Sequence, residues 1–109
     1  MNASIRWTVT DRYGNSIYLT QERWEHIIEP INHSEMAHIE DALKKTIQNG
    51  IRRQDALNPR KFRYSLEFPN LPLDNTHVVA IVLFSFRESE SGDPLPNNYI
   101  VTAYLKEIR

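Results

Sequence analysis

The chain has no cysteine, which excludes a disulfide framework, a thiolate metal site and a cysteine nucleophile. It also lacks a long apolar run. The longest, residues 78–84 (VVAIVLF), has the length and β-branched content of a strand and falls short of the roughly 18–20 residues a membrane helix needs. The N-terminus does not place a basic start before an apolar stretch, so no signal peptide is expected. A cytoplasmic protein without membrane attachment follows as the expectation. Sequence signatures of a phosphate loop, a nucleophile elbow and a paired-acid site are missing too. Excess charge of one sign is absent overall: 13 basic and 14 acidic residues give a net charge of −1.

What is present suits one domain over residues 1–109. The length, 40% hydrophobic content and 25% charged content describe a globular chain with a single core. The near-neutral total hides a division. Residues 1–50 hold seven acids and five bases, residues 51–63 one acid and five bases, and residues 64–109 six acids and three bases. The positive charge gathers in Arg52, Arg53, Arg60, Lys61 and Arg63. Such a cluster can neutralise backbone phosphates, because each contact releases condensed counterions. A solvated loop rim with surface ion pairs explains the same residues.

Apolar residues alternate at residues 4–10, after which the turn at 11–15 and residues 16–19 complete an N-terminal hairpin. Thr20 is placed to cap a helix over 21–29, whose apolar face is Trp24, Ile27 and Ile28 and which Pro30 should end. Ser34 is the candidate cap of a second helix, with an apolar stripe of Met36, Ile39, Leu43 and Ile47. Gly50 is expected to end it in a left-handed conformation. Residues 51–56 read as a short strand or extended edge, 61–68 as a strand, 76–87 as a long central strand covered on both faces, and 98–106 as the last strand. The polar segment 88–97 reads as a projecting loop. The fold class is α+β: an N-terminal hairpin and two helices packed on one face of an antiparallel sheet of about four strands.

Parity assigns the side chains. Phe62 and Tyr64 fall on the apolar side of their strand, so they suit the core better than a base-stacking role. Arg63, Ser65 and Glu67 fall on the other side. On the last strand Ile100, Thr102, Tyr104 and Lys106 share one face, and Tyr99, Val101, Ala103 and Leu105 share the apolar one. Thr102, Tyr104 and Arg87 beside the basic segment would suit a phosphodiester. His26 is a titratable group among Glu22, Glu25 and Glu29, and as an imidazole can serve as acid or base near neutrality. His33 and His38 are five residues apart and straddle a helix start. Glu35 and His38 are three apart but leave a site short of ligands, so neither a metal nor a cofactor is expected.

Three stretches carry a family resemblance: LTQERWEHIIE at 19–29, IQNG at 47–50 and NYIVTAYLKEIR at 98–109. Together with the hairpin before them and the basic-aromatic strands between them, they resemble the phage-associated branch of the barnase–EndoU–colicin–RelE group of small ribonuclease-like domains. Short bacterial proteins without an assigned activity, cyanobacterial ones among them, are similar as well. The resemblance implies metal-independent RNA cleavage by a toxin or phage-defence effector, with RNA and a protein inhibitor or antitoxin as partners. It implies that His26 is the acid/base and that Thr102 and Tyr104 act from the last strand. The chemistry then asks for a cation, from Arg63, Arg60 or Arg87, with Arg52, Arg53, Arg60, Lys61 and Arg87 holding nucleic acid. The competing expectation is a non-catalytic protein- or nucleic-acid-binding module on the same fold, to which the acidic residues Glu88, Glu90 and Asp93 could contribute.

Overall fold

The computed structural model describes residues 4–109. Strands β1 (Ile5–Thr10) and β2 (Ser16–Thr20) form the expected hairpin. Thr20 caps helix α1 (Gln21–Ile27) by accepting a hydrogen bond from the Arg23 amide at 3.0 Å. The 3₁₀ turn Ser34–His38 and helix α2 (Glu40–Asn49) follow. Next come β3 (Ile51–Gln54), β4 (Lys61–Glu67), the 3₁₀ turn Pro72–Asp74, β5 (His77–Leu83), β6 (Phe86–Glu88), β7 (Pro94–Pro96) and β8 (Asn98–Lys106). Among the described residues, no helix is long and apolar enough to cross a membrane.

The α+β class holds, with more strands than expected. The main sheet has six, in the order β1-β2-β8-β5-β4-β3. The hairpin is part of that sheet because β2 pairs with β8 in parallel at Ile17–Asn98 and Tyr18–Tyr99. Asn98 holds this junction with a side-chain bond to the Ser16 carbonyl at 3.1 Å. All other pairings in the sheet are antiparallel.

One face of the sheet carries the core. Ile17 and Leu19 from β2, Tyr64 from β4, Val78, Ala80 and Val82 from β5, and Ile100 and Ala103 from β8 cluster with Trp24 and Ile27 of α1 and Leu43 and Ile47 of α2. Arg6 and Trp7 of β1 brace the start of α2: the Trp7 indole donates to Glu40 at 2.8 Å, and the Arg6 guanidinium pairs with the same carboxylate. The Arg6 bond holds the Glu40 carboxyl below its usual pKa range.

Several boundaries differ from expectation. The second helix starts at Glu40, because Ile39 (φ −130°) breaks it from the 3₁₀ turn, and Ser34 caps nothing in α2. The apolar stripe spans both pieces, so periodicity alone runs across the break. Gly50 is extended (φ −70°), not left-handed. Its glycine is demanded by crowding: a Cβ would lie 2.3 Å from the Thr46 carbonyl oxygen and 2.8 Å from that of Ser65. The expected long strand stops at Leu83, and residues 86–96 form a separate two-stranded ribbon, β6 with β7. The central position of β5 holds, but its second face is open in part, with Ile81 and Leu83 half-buried.

A bulge decides which residues of β8 meet the core. Ile81 pairs with Thr102 but Val82 pairs with Ile100, leaving Val101 as the extra residue. Parity therefore changes sign across it. Ile100 joins the core instead of sharing a face with Thr102, and Tyr99 turns to the open face.

Candidate anion-binding face

The open face is built by cross-strand registers that bring distant residues into rows. Arg53 of β3 sits opposite Arg63 of β4, Arg63 opposite Ile81 of β5, and Ile81 opposite Thr102 of β8. The next row is Ile51, Ser65, Val79 and Tyr104. On the other side Lys61, Leu83, Tyr99 and Tyr18 follow one another. Cations, hydroxyls and phenols thus share one surface, away from the helices.

Two arginines directly opposed in a sheet repel one another. Among the described residues neither Arg53 nor Arg63 has an acidic partner within ion-pair distance. Both line a cavity of about 350 Å³ together with Lys61, Ile81 and Tyr104. The carboxylate on its rim, Asp55, is otherwise engaged. One oxygen accepts from the Leu57 and Asn58 amides at 2.8 and 3.0 Å, and the other lies 4.0 Å from Lys61. The Leu57 amide bond leads in holding its carboxyl below the usual range. The cavity retains two uncompensated guanidinium groups beside a phenol, a geometry suited to a phosphate-like anion.

Tyr104 connects this cavity to His33, which the sequence offers only as an incomplete metal ligand. The His33 ring lies 5.6 Å from the Tyr104 ring, centroid to centroid, at 36°. Beyond its short pairing with β2, β8 is flanked by α1 and the Ser34–His38 turn, which brings His33 to the strand. His33 Nδ1 is also 3.7 Å from Glu35. No spacing in the chain signals a meeting of residues 33 and 104.

The expected catalytic set divides. Arg63, Thr102 and Tyr104 come together on the open face. His26 does not join them: it is exposed on α1, in a hollow walled by Glu22, Arg23, Glu25 and Glu29. The α1 residues that reach the core are Trp24 and Ile27, and His26 projects from another side of the helix. Among the expected nucleic-acid contacts, Arg53 and Lys61 line the cavity, whereas Arg60 is exposed on the turn before β4. Arg87 lies in a different groove, with Thr8, Ser16 and Tyr18.

Arg52 lies apart from the other basic residues. Register places it opposite Tyr64, on the covered face. Its guanidinium carbon lies 4.4 Å from the Tyr13 ring centroid, 4.6 Å from Phe62 and 5.4 Å from Phe84, and its Nη1 is 4.0 Å from Asp11. It is a structural cation in an aromatic box. Asp11 is buried and accepts from the Tyr64 hydroxyl and from the Tyr13 and Asn15 amides at 2.9 and 2.8 Å. Burial raises its pKa, but the bonds from Tyr64, Asn15 and Tyr13 together outweigh burial and hold the carboxyl below its usual range. Burial first, then the Asp11 bond, pushes the Tyr64 phenol far above its ordinary value. Among the described residues no group of three or more His, Cys, Asp or Glu side chains is arranged to hold a metal ion. Compared with family models, with curated proteins and with solved structures, the chain matches none.

Proposed function

We propose that the protein acts on RNA at the open face, as a small metal-independent ribonuclease-like domain. The observation that carries this reading is the opposed Arg53–Arg63 pair, without an acidic partner among the described residues, in a cavity with Tyr104 and in the same cross-strand row as Thr102. A phosphodiester held by the two guanidinium groups would be neutralised where charge builds on a pentacoordinate phosphorus. In this scheme His33 takes the role first expected of His26. Its neutral imidazole accepts the proton of the ribose 2′-hydroxyl, and O2′ attacks phosphorus. The P–O5′ bond breaks, and the imidazolium returns its proton to the leaving 5′-oxygen. The products are a 2′,3′-cyclic phosphate and a 5′-hydroxyl. Thr102 and Tyr104 offer hydroxyls to the non-bridging oxygens. A protein inhibitor or antitoxin for such an enzyme would cover this cationic face.

The test is incubation of purified protein with RNA in EDTA and identification of the ends. Cleavage to cyclic phosphate, lost in Arg63→Ala and His33→Ala, is the expected result. A metal requirement, or full activity in both variants, would overturn the scheme. A second reading is favoured by the position of His33, which meets the cavity only through Tyr104: the same face binds nucleic acid without cutting it. Intact RNA after prolonged incubation, with salt-sensitive binding lost in Arg63→Ala, selects that reading.

A further inference from the structure

Besides the arginine cavity, two further hollows share Tyr18 and Thr20 of β2, towards the hairpin end of the sheet. Tyr18 and Tyr99 stand side by side on β2 and β8, ring centroids 6.0 Å apart at 39°. They line a hollow of about 200 Å³ with Arg23 and Glu22. Tyr18 is also a wall of the next hollow, about 560 Å³, which holds Arg87 of the ribbon together with the hydroxyls of Thr8 and Ser16 and no carboxylate. The Tyr18 ring is fixed in place by a hydrogen bond from its hydroxyl to Asn97 at 2.8 Å. Tyr18 is three strand steps from Lys61, β4 to β5 to β8 to β2, roughly 14 Å at about 4.8 Å each, and Arg63 lies two residues further along β4, which puts it roughly 16 Å from Tyr18.

We infer that these hollows form one track for single-stranded nucleic acid, with phosphates at Arg53–Arg63 and at Arg87 and an unstacked base against Tyr99 and Tyr18. This rests on the proposed function for its first phosphate and names the class of substrate that the face takes. Charge decides the order of occupancy. In the middle hollow Glu22 offsets Arg23, so no net positive charge draws a phosphate there, and the tyrosines offer aromatic surface. Arg87 faces no carboxylate among the groups lining its hollow. Stacking on an aromatic side chain is open to any base once it leaves a duplex, whereas a paired base has its faces already covered. Only the bulge at Val101 brings Tyr99 to this face, so the track depends on a local irregularity of β8.

The experiment uses the full chain with a fluorescent single-stranded DNA oligomer of about eight nucleotides, within the range that single-strand-binding surfaces occupy. DNA lacks the 2′-hydroxyl and survives the proposed chemistry. Tyr99→Ala should weaken binding roughly tenfold. Arg87→Gln should weaken it and reduce the slope of log affinity against log salt by about 0.7, one phosphate contact on a single strand. The same sequence as a duplex should bind more weakly than the single strand. Tyr99→Leu keeps an apolar side chain without the ring, and should match Tyr99→Ala with an unchanged melting temperature. Wild-type affinity in both Arg87→Gln and Tyr99→Leu, or equal binding of the duplex, would overturn the track. If binding persists in the Arg53→Gln, Arg63→Gln double variant but depends on Arg87 and Tyr99, the tyrosine–Arg87 part of the track stands, while its first phosphate site and the proposed function fail. If binding needs the arginine pair alone, the proposed function stands and the track fails.

Discussion

Replacing Arg53 by glutamine should make the protein more stable and less able to hold an anion. Arg53 and Arg63 are direct cross-strand neighbours, and no acid lies within ion-pair distance of either among the described residues. Two unit charges about 7 Å apart in a water-like medium repel by about 0.6 kcal/mol. That falls inside the roughly 0.2–1 kcal/mol range of cross-strand pairs. Removing one charge should therefore raise stability by about 0.5 kcal/mol at low salt, or a melting temperature higher by about 2–4 °C. Glutamine keeps part of the aliphatic stem, so little packing is lost. The gain should vanish near 1 M salt, where the screening length is only about 3 Å. Arg63→Gln should behave alike, and the double variant should gain little more than either single one, since the repulsion is gone after the first change. An oligonucleotide at about a hundred times its dissociation constant should stabilise the wild type by about 2.7 kcal/mol and so reverse the order of melting temperatures. Thermal melts of the four proteins at two salt concentrations, with and without oligonucleotide, contain all of these comparisons. A lower melting temperature for Arg53→Gln at low salt, or a gain that persists at high salt, would refute the idea of a repulsive, ligand-awaiting pair.

Asp11→Asn should cost about 2–3 kcal/mol in urea denaturation at neutral pH, because it removes the charged acceptor of Tyr64 and the partner of Arg52. Tyr64→Phe should cost about 1–2 kcal/mol, and the pair should be non-additive. The Asp11 carboxyl has a depressed pKa in the folded protein. Its contribution is therefore fully present above the unfolded value near 4, and is lost as pH falls through the folded pKa. Asp11→Asn should flatten that acid limb, and an unchanged limb would place the transition elsewhere. His26→Ala should leave RNA cleavage, binding and melting temperature as in the wild type, since the residue is exposed in a hollow of its own; loss of cleavage in this variant would return His26 to the mechanism. Gly50→Ala should destabilise by about 2–3 kcal/mol in thermal or urea melts. Its φ suits alanine, but the added Cβ would meet two carbonyl oxygens; a neutral result would show that the backbone there can yield.

The sequence by itself determined most of the local structure and the chemistry available. Alternation placed β1, β2, β4 and β8, helical spacing marked α1 and the apolar face of α2, and Thr20 showed where the first helix starts. Alternation along β4 puts Tyr64 in the core and Arg63 outward, and the structure agrees because no bulge interrupts the strand. These are short-range properties of backbone geometry and side-chain direction. The meeting points were decided only by the tertiary structure. Arg52 and Arg53 are adjacent and alike in charge, yet register against β4 sends one into an aromatic box and the other to the open face. The bulge at Val101 exchanges the faces of Ile100 and Tyr99, which uninterrupted alternation cannot foresee. The parallel β2–β8 pairing leaves the rest of β8 to be flanked by the segment carrying His33. Pairing between distant strands depends on which surfaces bury each other, and periodicity along one strand carries no information about its partner.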